Sequence, residues 1–311
     1  MIIFYLFVGL LIIPVLFLFF RRDNVVAIED LKDEMETSTS SYFDFHKLRC
    51  HYTDVGSGEV IVLIHGLGDS FRIFDEFVEE LKPNYRVIRF DLPGFGLSGV
   101  PNSSQIDNEL IDYYASCFNA FIQEMDLGKF HLMGNSLGGW VSWHWASHHN
   151  DKLQTLTLLA SAGFEMDRVK KNITQGILEH LPKFLLDKGM PVSVAKFNLQ
   201  SCIYIKSKIK TQHIRNNYRM INKRGTLRFM FSLLESHAQP SLDQLAAITC
   251  PTLIVWGDRD RITPVSHARM FNDAISNSEL VIYSKCGHYP QIEFNKELLK
   301  DWANFRSKAL T

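Results

Sequence analysis

The chain has 311 residues, 46% of them hydrophobic and 22% charged, which is ample material for a packed core and unlike a disordered or fibrous composition. A net charge of −1 and a pI near 6.9 leave no global positive field of the kind that draws a protein onto nucleic acid, so no nucleic-acid partner is expected. Five cysteines, at 50, 117, 202, 250 and 286, are odd in number, widely spaced and free of any CxxC pair, which argues against a disulfide framework or a zinc site.

The first element is "MIIFYLFVGLLIIPVLFLFF". These 20 residues carry no charge, and a helix of that length spans about 30 Å, the thickness of a bilayer core. The stretch lacks the basic front and the small-residue cleavage site of a secretory signal, so residues 1–20 are expected to be a retained single-pass anchor. Arg21 and Arg22 follow directly, which puts the body of the protein on the cytoplasmic side by the positive-inside tendency. Residues 21–41, polar and acidic with a "TSTSS" tail, read as a linker.

From residue 42 onward, short β-rich runs alternate with helical patterns, the signature of a parallel sheet flanked by helices. "SYFDFHKLRCHYTDVGSG" reads as two strands closed by a Gly-Ser-Gly turn. The runs at 60–66, 85–91, 129–135, 153–160, 252–257 and 279–285 are continuously apolar, as in strands buried on both faces. Phe74, Phe77, Val78 and Leu81 recur at helical spacing. So do Leu110, Tyr114, Phe118, Phe121 and Met125, with a stop expected at Gly128, and Leu298, Leu299, Trp302 and Phe305 mark a closing helix.

The interval 164–240 breaks the alternation and reads as a helical cap inserted into a core formed by 42–163 and 241–311. From Glu165 to Pro240 it holds fourteen Lys/Arg against five Asp/Glu, a balance of +9, and the rest of the chain therefore carries −10.

The chemistry begins at "MGNSLGGW" (133–140). Gly134-Asn-Ser136-Leu-Gly138 fits G-x-S-x-G, in which serine sits on a strained strand-to-helix turn and the flanking glycines remove Cβ atoms that would collide. A serine hydroxyl needs a base to take its proton, and the base needs an orienting carboxylate. "WGDRDRITP" offers Asp260, with Asp258 suited to bracing the turn, and "CGHYP" offers His288. Glu165 and Asp167 are the lesser choices for the acid. His144, His148 and His149, in the helix after Ser136, suit packing or surface roles. The order Ser136, Asp260, His288 delivers one group from the end of each of three strands to the crevice where parallel sheets place their sites.

"HGLGDS" (65–70) follows the strand at 60–66 and opens a helix. Gly66 and Gly68 permit close backbone approach, His65 belongs to the turn, and the N–H groups of Leu67 and Leu137 are the expected pair for a developing oxyanion.

"HGLGDS", "FDLPGFGLS" (90–98), "GNSLGG", "WGDRDRITP" and "GHYPQIE" resemble, in order, the hallmark segments of the α/β-hydrolase superfamily, across roughly residues 42–306. The resemblance implies a mostly parallel eight-stranded sheet flanked by helices, with Ser136 as nucleophile, Asp260 as acid, His288 as base, and no cofactor or metal. Within the superfamily the chain is most similar to membrane-anchored monoacylglycerol lipases and esterases, and to lipases related to the meta-cleavage-product hydrolases, which cleave carbon–carbon bonds. With the anchor and the basic, apolar cap, this implies a lipid or other hydrophobic ester substrate reached from a membrane surface.

Overall fold

The computed structural model describes residues 24–102, 106, 109–164, 186–234 and 242–311. The expected anchor at 1–20 lies outside these, as do cap residues 165–185 and 235–240, Glu165 and Asp167 among them. Among the described residues no helix is long and apolar enough to cross a membrane.

Eight strands form one sheet: β1 (Ser40–Phe45), β2 (Leu48–Val55), β3 (Glu59–Ile64), β4 (Tyr85–Phe90), β5 (Phe130–Asn135), β6 (Leu153–Leu159), β7 (Thr252–Gly257) and β8 (Ser278–Tyr283). Their order is β1-β2-β4-β3-β5-β6-β7-β8, with β1–β2 and β2–β4 antiparallel and every other pair parallel. Around the sheet lie α1 (Ile28–Met35), α2 (Asp75–Leu81), α3 (Leu110–Glu124), α4 (Leu137–Ala146), α5 (Val192–Cys202), α6 (Thr211–Ile221), α7 (Thr226–Leu234), α8 (Leu242–Ala246), α9 (Val265–Ala274), α10 (Pro290–Glu293) and α11 (Asn295–Ala309).

The central strands are largely apolar because both faces are covered. Along β3, Val62 and Ile64 enter one core with Phe118 and Phe121 of α3, while Ile61 and Leu63 enter the other with Phe77 of α2 and Trp302 of α11. The run at 279–285 departs from that expectation. β8 is the edge strand, and its Ile282 is 38% exposed. The stop of α3 also differs. Asp126, not Gly128, takes the left-handed conformation (φ 44°), and a side chain at Gly128 would meet nothing.

The chain leaves β3 toward one edge of the sheet and leaves β5 toward the other. The β3/β5 junction is therefore the switch point at which parallel sheets open a crevice.

Residues 24–41, expected as a linker, fold back onto the protein instead. Val26 forms a bridge with Lys223, α1 buries Leu31 and Met35, and Glu34 pairs with Arg215 (3.2 Å) and Arg219 (2.5 Å) of α6. The acidic segment thus meets part of the cap's positive charge, a complementarity between residues more than 180 positions apart. Lys223 is fully buried, and its Nζ donates to the backbone oxygens of Gly96 (3.0 Å) and Ser98. Thr226 Oγ1 donates to Gly94 O (2.8 Å) and Asn217 Nδ2 to Gly68 O (2.9 Å), so α6 and α7 are fastened over the turns that follow β3 and β4.

Candidate active site

β5 ends at Asn135, and Ser136 follows at φ 55° and ψ −116°, a strained backbone for any residue with a Cβ, before α4 begins at Leu137. The conformation is held from several sides. Ser136 N–H donates to Leu159 O (3.0 Å), and Ser136 O accepts from Trp140 N (3.0 Å) and Ala162 N (2.9 Å). The flanking glycines are steric necessities. A Cβ at Gly134 would lie 2.3 Å from Gly138 O, and one at Gly138 would lie 2.3 Å from Ile64 O. Gly139, which sequence reasoning passed over, is equally constrained, since its Cβ would lie 2.6 Å from Ser161 Oγ. The doubled glycine in "GNSLGG" was the available signal.

The turn after β3 lies against this elbow. A Cβ at Gly66 would stand 3.0 Å from Ser136 Cβ, and Gly68 has φ +72° beneath Met230 of α7. His65 is fully buried. Leu92 N–H donates to its Nε2 (3.1 Å), which places the proton on Nδ1, and that group donates to Gly66 O (2.8 Å). Burial lowers the pKa of the ring and keeps it neutral, so His65 braces the turn. Leu67 follows Gly66 in this turn. Leu137 N–H belongs to the first turn of α4, where amides have no intrahelical acceptor. Neither amide has a backbone acceptor among the described residues.

After β7, the buried Asp260 carboxylate is saturated with donors. Oδ1 accepts from Ile262 N (2.7 Å) and Thr263 N (3.0 Å), and Oδ2 accepts from Thr263 Oγ1 (2.8 Å). Oδ2 also accepts from His288 Nδ1 at 2.8 Å, which fixes the ring after β8 and leaves Nε2 as the free acceptor nitrogen. Asp258 serves elsewhere. Its Oδ1 accepts from Lys285 N (2.7 Å), bracing the β8 turn. His144 Nε2 bonds Asp112 (2.9 Å), while His148 and His149 bond carbonyls of their own helix.

Ser136 and His288 come to the same end of the sheet. Asn135 Nδ2 donates both to Leu159 O (3.0 Å) and to His288 O (3.3 Å), so the residue before the serine holds the main chain of the histidine. Ser136 Oγ itself makes no hydrogen bond to His288 or to any other described residue. Such contacts commonly close only when substrate binds.

Several participants were not singled out in the sequence, although Asn135, Thr263 and Glu293 lie within its hallmark segments. Thr263 and Asn135 steady the pair, and Glu293 and Cys202 grip the His288 loop. A second Ser–His–Asp chain lies where β1 and β2 meet the turn after β4. Ser40 Oγ is 2.8 Å from His51 Nε2, and His51 Nδ1 is 2.7 Å from Asp91 Oδ2. Among the described residues no group of three His, Cys, Asp or Glu side chains is placed to hold a metal ion.

Comparison with known proteins agrees with this architecture. Residues 59–294 match the family model described as alpha/beta hydrolase fold. Lipase 3 of Moraxella sp. (strain TA144) is 25% identical over 284 residues, covering 91% of this chain and 88% of the lipase. The 2-hydroxy-6-oxononadienedioate/2-hydroxy-6-oxononatrienedioate hydrolase of Escherichia coli O81 (strain ED1a) is 29% identical over 295 residues, covering 89% of this chain and 98% of that enzyme. The crystal structure of a membrane phospholipase A superposes with a TM-score of 0.75 at 24% identity, covering all of both chains, an agreement in fold. The strained serine turn, the sheet order and these matches lead to one assignment: the chain belongs to the α/β-hydrolase family.

Proposed function

We propose that the protein is a serine hydrolase that cleaves carboxylic esters of lipids through an acyl-enzyme. Ser136 attacks the ester carbonyl while His288 Nε2 takes its proton, and Asp260 orients the imidazole and stabilises its charged form. The N–H groups of Leu67 and Leu137 stabilise the oxyanion. The imidazolium protonates the departing alcohol, and water, deprotonated by His288, then releases the acid. The observation that carries this reading is the 2.8 Å bond from His288 Nδ1 to a carboxylate saturated with donors, at the sheet end where Ser136 sits in its strained turn.

Membrane attachment is part of the proposal and rests on the uncharged first 20 residues. The positive-inside tendency then sets the catalytic domain on the cytoplasmic side. The cap supplies a second contact. Phe197 and Tyr204 are 56% and 43% exposed beside Lys196, Lys206 and Lys208, which suits an anionic lipid surface. The names of the Moraxella lipase and the membrane phospholipase A are in keeping with a hydrophobic ester substrate.

The decisive experiment is labelling of the wild type and of Ser136→Ala with a fluorophosphonate probe, followed by turnover of esters graded by chain length. Labelling confined to the wild type, with ester turnover, is expected. An unlabelled wild type defeats the hydrolase reading. A second reading, hydrolysis of a carbon–carbon bond in a vinylogous diketone acid, is favoured by the 29% identity to the E. coli hydrolase over 98% of that enzyme. Labelling without ester turnover would select it.

A further inference from the structure

The proposed base is gripped from above by the cap. His288 N–H donates to Cys202 O, at the end of α5, at 2.7 Å. Beside it, the buried carboxylate of Glu293 collects three backbone donors. Oε1 accepts Gly287 N–H at 2.8 Å, and Oε2 accepts Tyr204 N–H at 2.9 Å and Ile205 N–H at 2.6 Å. The fit is close, since a Cβ at Gly287 would lie 2.4 Å from Cys202 O and 2.8 Å from Tyr204 N. A carboxylate suits this joint because it accepts on both oxygens and donates nothing. One side chain therefore bridges the loop that carries the base and the cap segment after α5.

We propose that Glu293 is a positioning residue that couples the cap segment Cys202–Ile205 to His288, so that the imidazole is correctly set only while that segment is seated. The inference rests on the serine hydrolase reading. The same segment carries the partly exposed Tyr204 ring, so a substrate or surface that displaces it displaces the base as well. Misplacement of a reacting group by about 1 Å costs on the order of 10²-fold in rate, so a loosened joint is felt in the chemical step.

The test uses the full chain, p-nitrophenyl butyrate and a fluorophosphonate probe. Glu293→Ala removes all three acceptors, and Glu293→Gln keeps one carbonyl oxygen but turns an amide donor toward an N–H. Gly287→Ala forces the same joint open from the other side without removing a charge. In Glu293→Ala and Gly287→Ala, kcat is expected to fall about 10- to 100-fold with KM within about twofold, as for an interaction that acts on the chemical step. The labelling rate should fall in parallel, with Glu293→Gln intermediate. Hydrogen exchange should rise at 203–206 and 286–289 together. If Glu293→Ala does not fold, the other two variants decide. A folded Glu293→Ala or Gly287→Ala with wild-type kcat overturns the coupling, as does exchange that rises in only one of the two segments. A wild type that neither labels nor turns over ester defeats the hydrolase reading alone, and the exchange result still decides the coupling.

Discussion

Two Ser–His–Asp sets occupy this molecule. In one, Ser40, His51 and Asp91 are joined by bonds of 2.8 and 2.7 Å. In the other, His288 and Asp260 are joined at 2.8 Å, and the Ser136 hydroxyl makes no hydrogen bond among the described residues. Judged by hydrogen bonds alone, the first set is the more complete. Its surroundings are those of a brace. Ser40 opens β1, and its hydroxyl oxygen accepts Thr37 N–H at 3.0 Å. His51 is fully buried between the rings of Tyr42 and Phe71, and Asp91 also accepts Phe71 N (2.7 Å) and Leu97 N (2.9 Å), so the chain ties together β1, β2 and two loops. The second set has a strained turn, a helix N-terminus and a glycine-lined turn against the serine. Reactivity resides in those surroundings, because a linked trio without donors for a developing oxyanion has nothing to stabilise a transition state.

The largest effect should separate the two serines. Ser136→Ala is expected to lower ester kcat by about 10⁴- to 10⁶-fold, as removal of a catalytic nucleophile does. Ser40→Ala should lose only about 1–3 kcal/mol of stability, for its bonds to His51 and Thr37, and keep its turnover and its probe adduct. Peptide mapping of the labelled wild type checks both. An adduct on Ser40 would erase the distinction.

The two carboxylates come next. Asp260→Asn should cost about 10⁴-fold in kcat, because an amide cannot hold the imidazole in the required tautomer. Asp91→Asn should act on the fold, losing about 1–3 kcal/mol in denaturant unfolding as buried donors go unpaired, with turnover per folded molecule little changed. A normal melting curve for Asp91→Asn would show that the brace is idle.

The smallest effect sharpens the contrast through pH. Burial alone would raise the Asp91 pKa, but His51, His65 and Leu97 N–H outweigh it and hold the carboxyl below its usual range. Asp69, in the turn that faces Ser136, lacks such support. Its Oδ2 is buried with no partner at hydrogen-bond distance among the described residues, and burial pushes its pKa up to about 7, against the weaker lowering effects of Tyr289 and Ser70 N–H. Between the unfolded value near 3.8 and about 7, the folded state binds more protons than the unfolded, so this contribution is full below 3.8 and is lost as pH rises through about 7. Asp69→Asn removes that slope. Relative to the variant, the melting temperature of the wild type should fall from about pH 5 to about pH 8. Parallel curves would place Asp69 in contact with a donor.

What could be read from the sequence follows the range of the forces involved. The strands of the central sheet were legible because burial on both faces writes a largely apolar run, and β8 was legible as a strand but not as an edge, since an edge strand carries the same residue types with one side open. The order of Ser136, Asp260 and His288 was legible because each follows its own strand. Asp260 was favoured over Asp258 in the sequence, and the path of the turn puts Asp260 against His288 and Asp258 against Lys285 N. Residues 24–41 looked like a linker because their partners, Arg215, Arg219 and Lys223, sit near the far side of the sequence. Glu293 closes the segment "GHYPQIE", but its role there could not be read. Its work is done on backbone amides, which every residue but proline possesses.

The unusual backbone at Ser136 is set by Leu159, Trp140, Ala162 and the glycines around it, none of which engages the hydroxyl. The elbow is in that sense a socket whose shape is independent of the tool fitted to it. Cysteine or aspartate installed at 136 should inherit the same presentation. The chain could then be moved toward a different class of covalent intermediate by exchanging one side chain while the scaffold stays as it is.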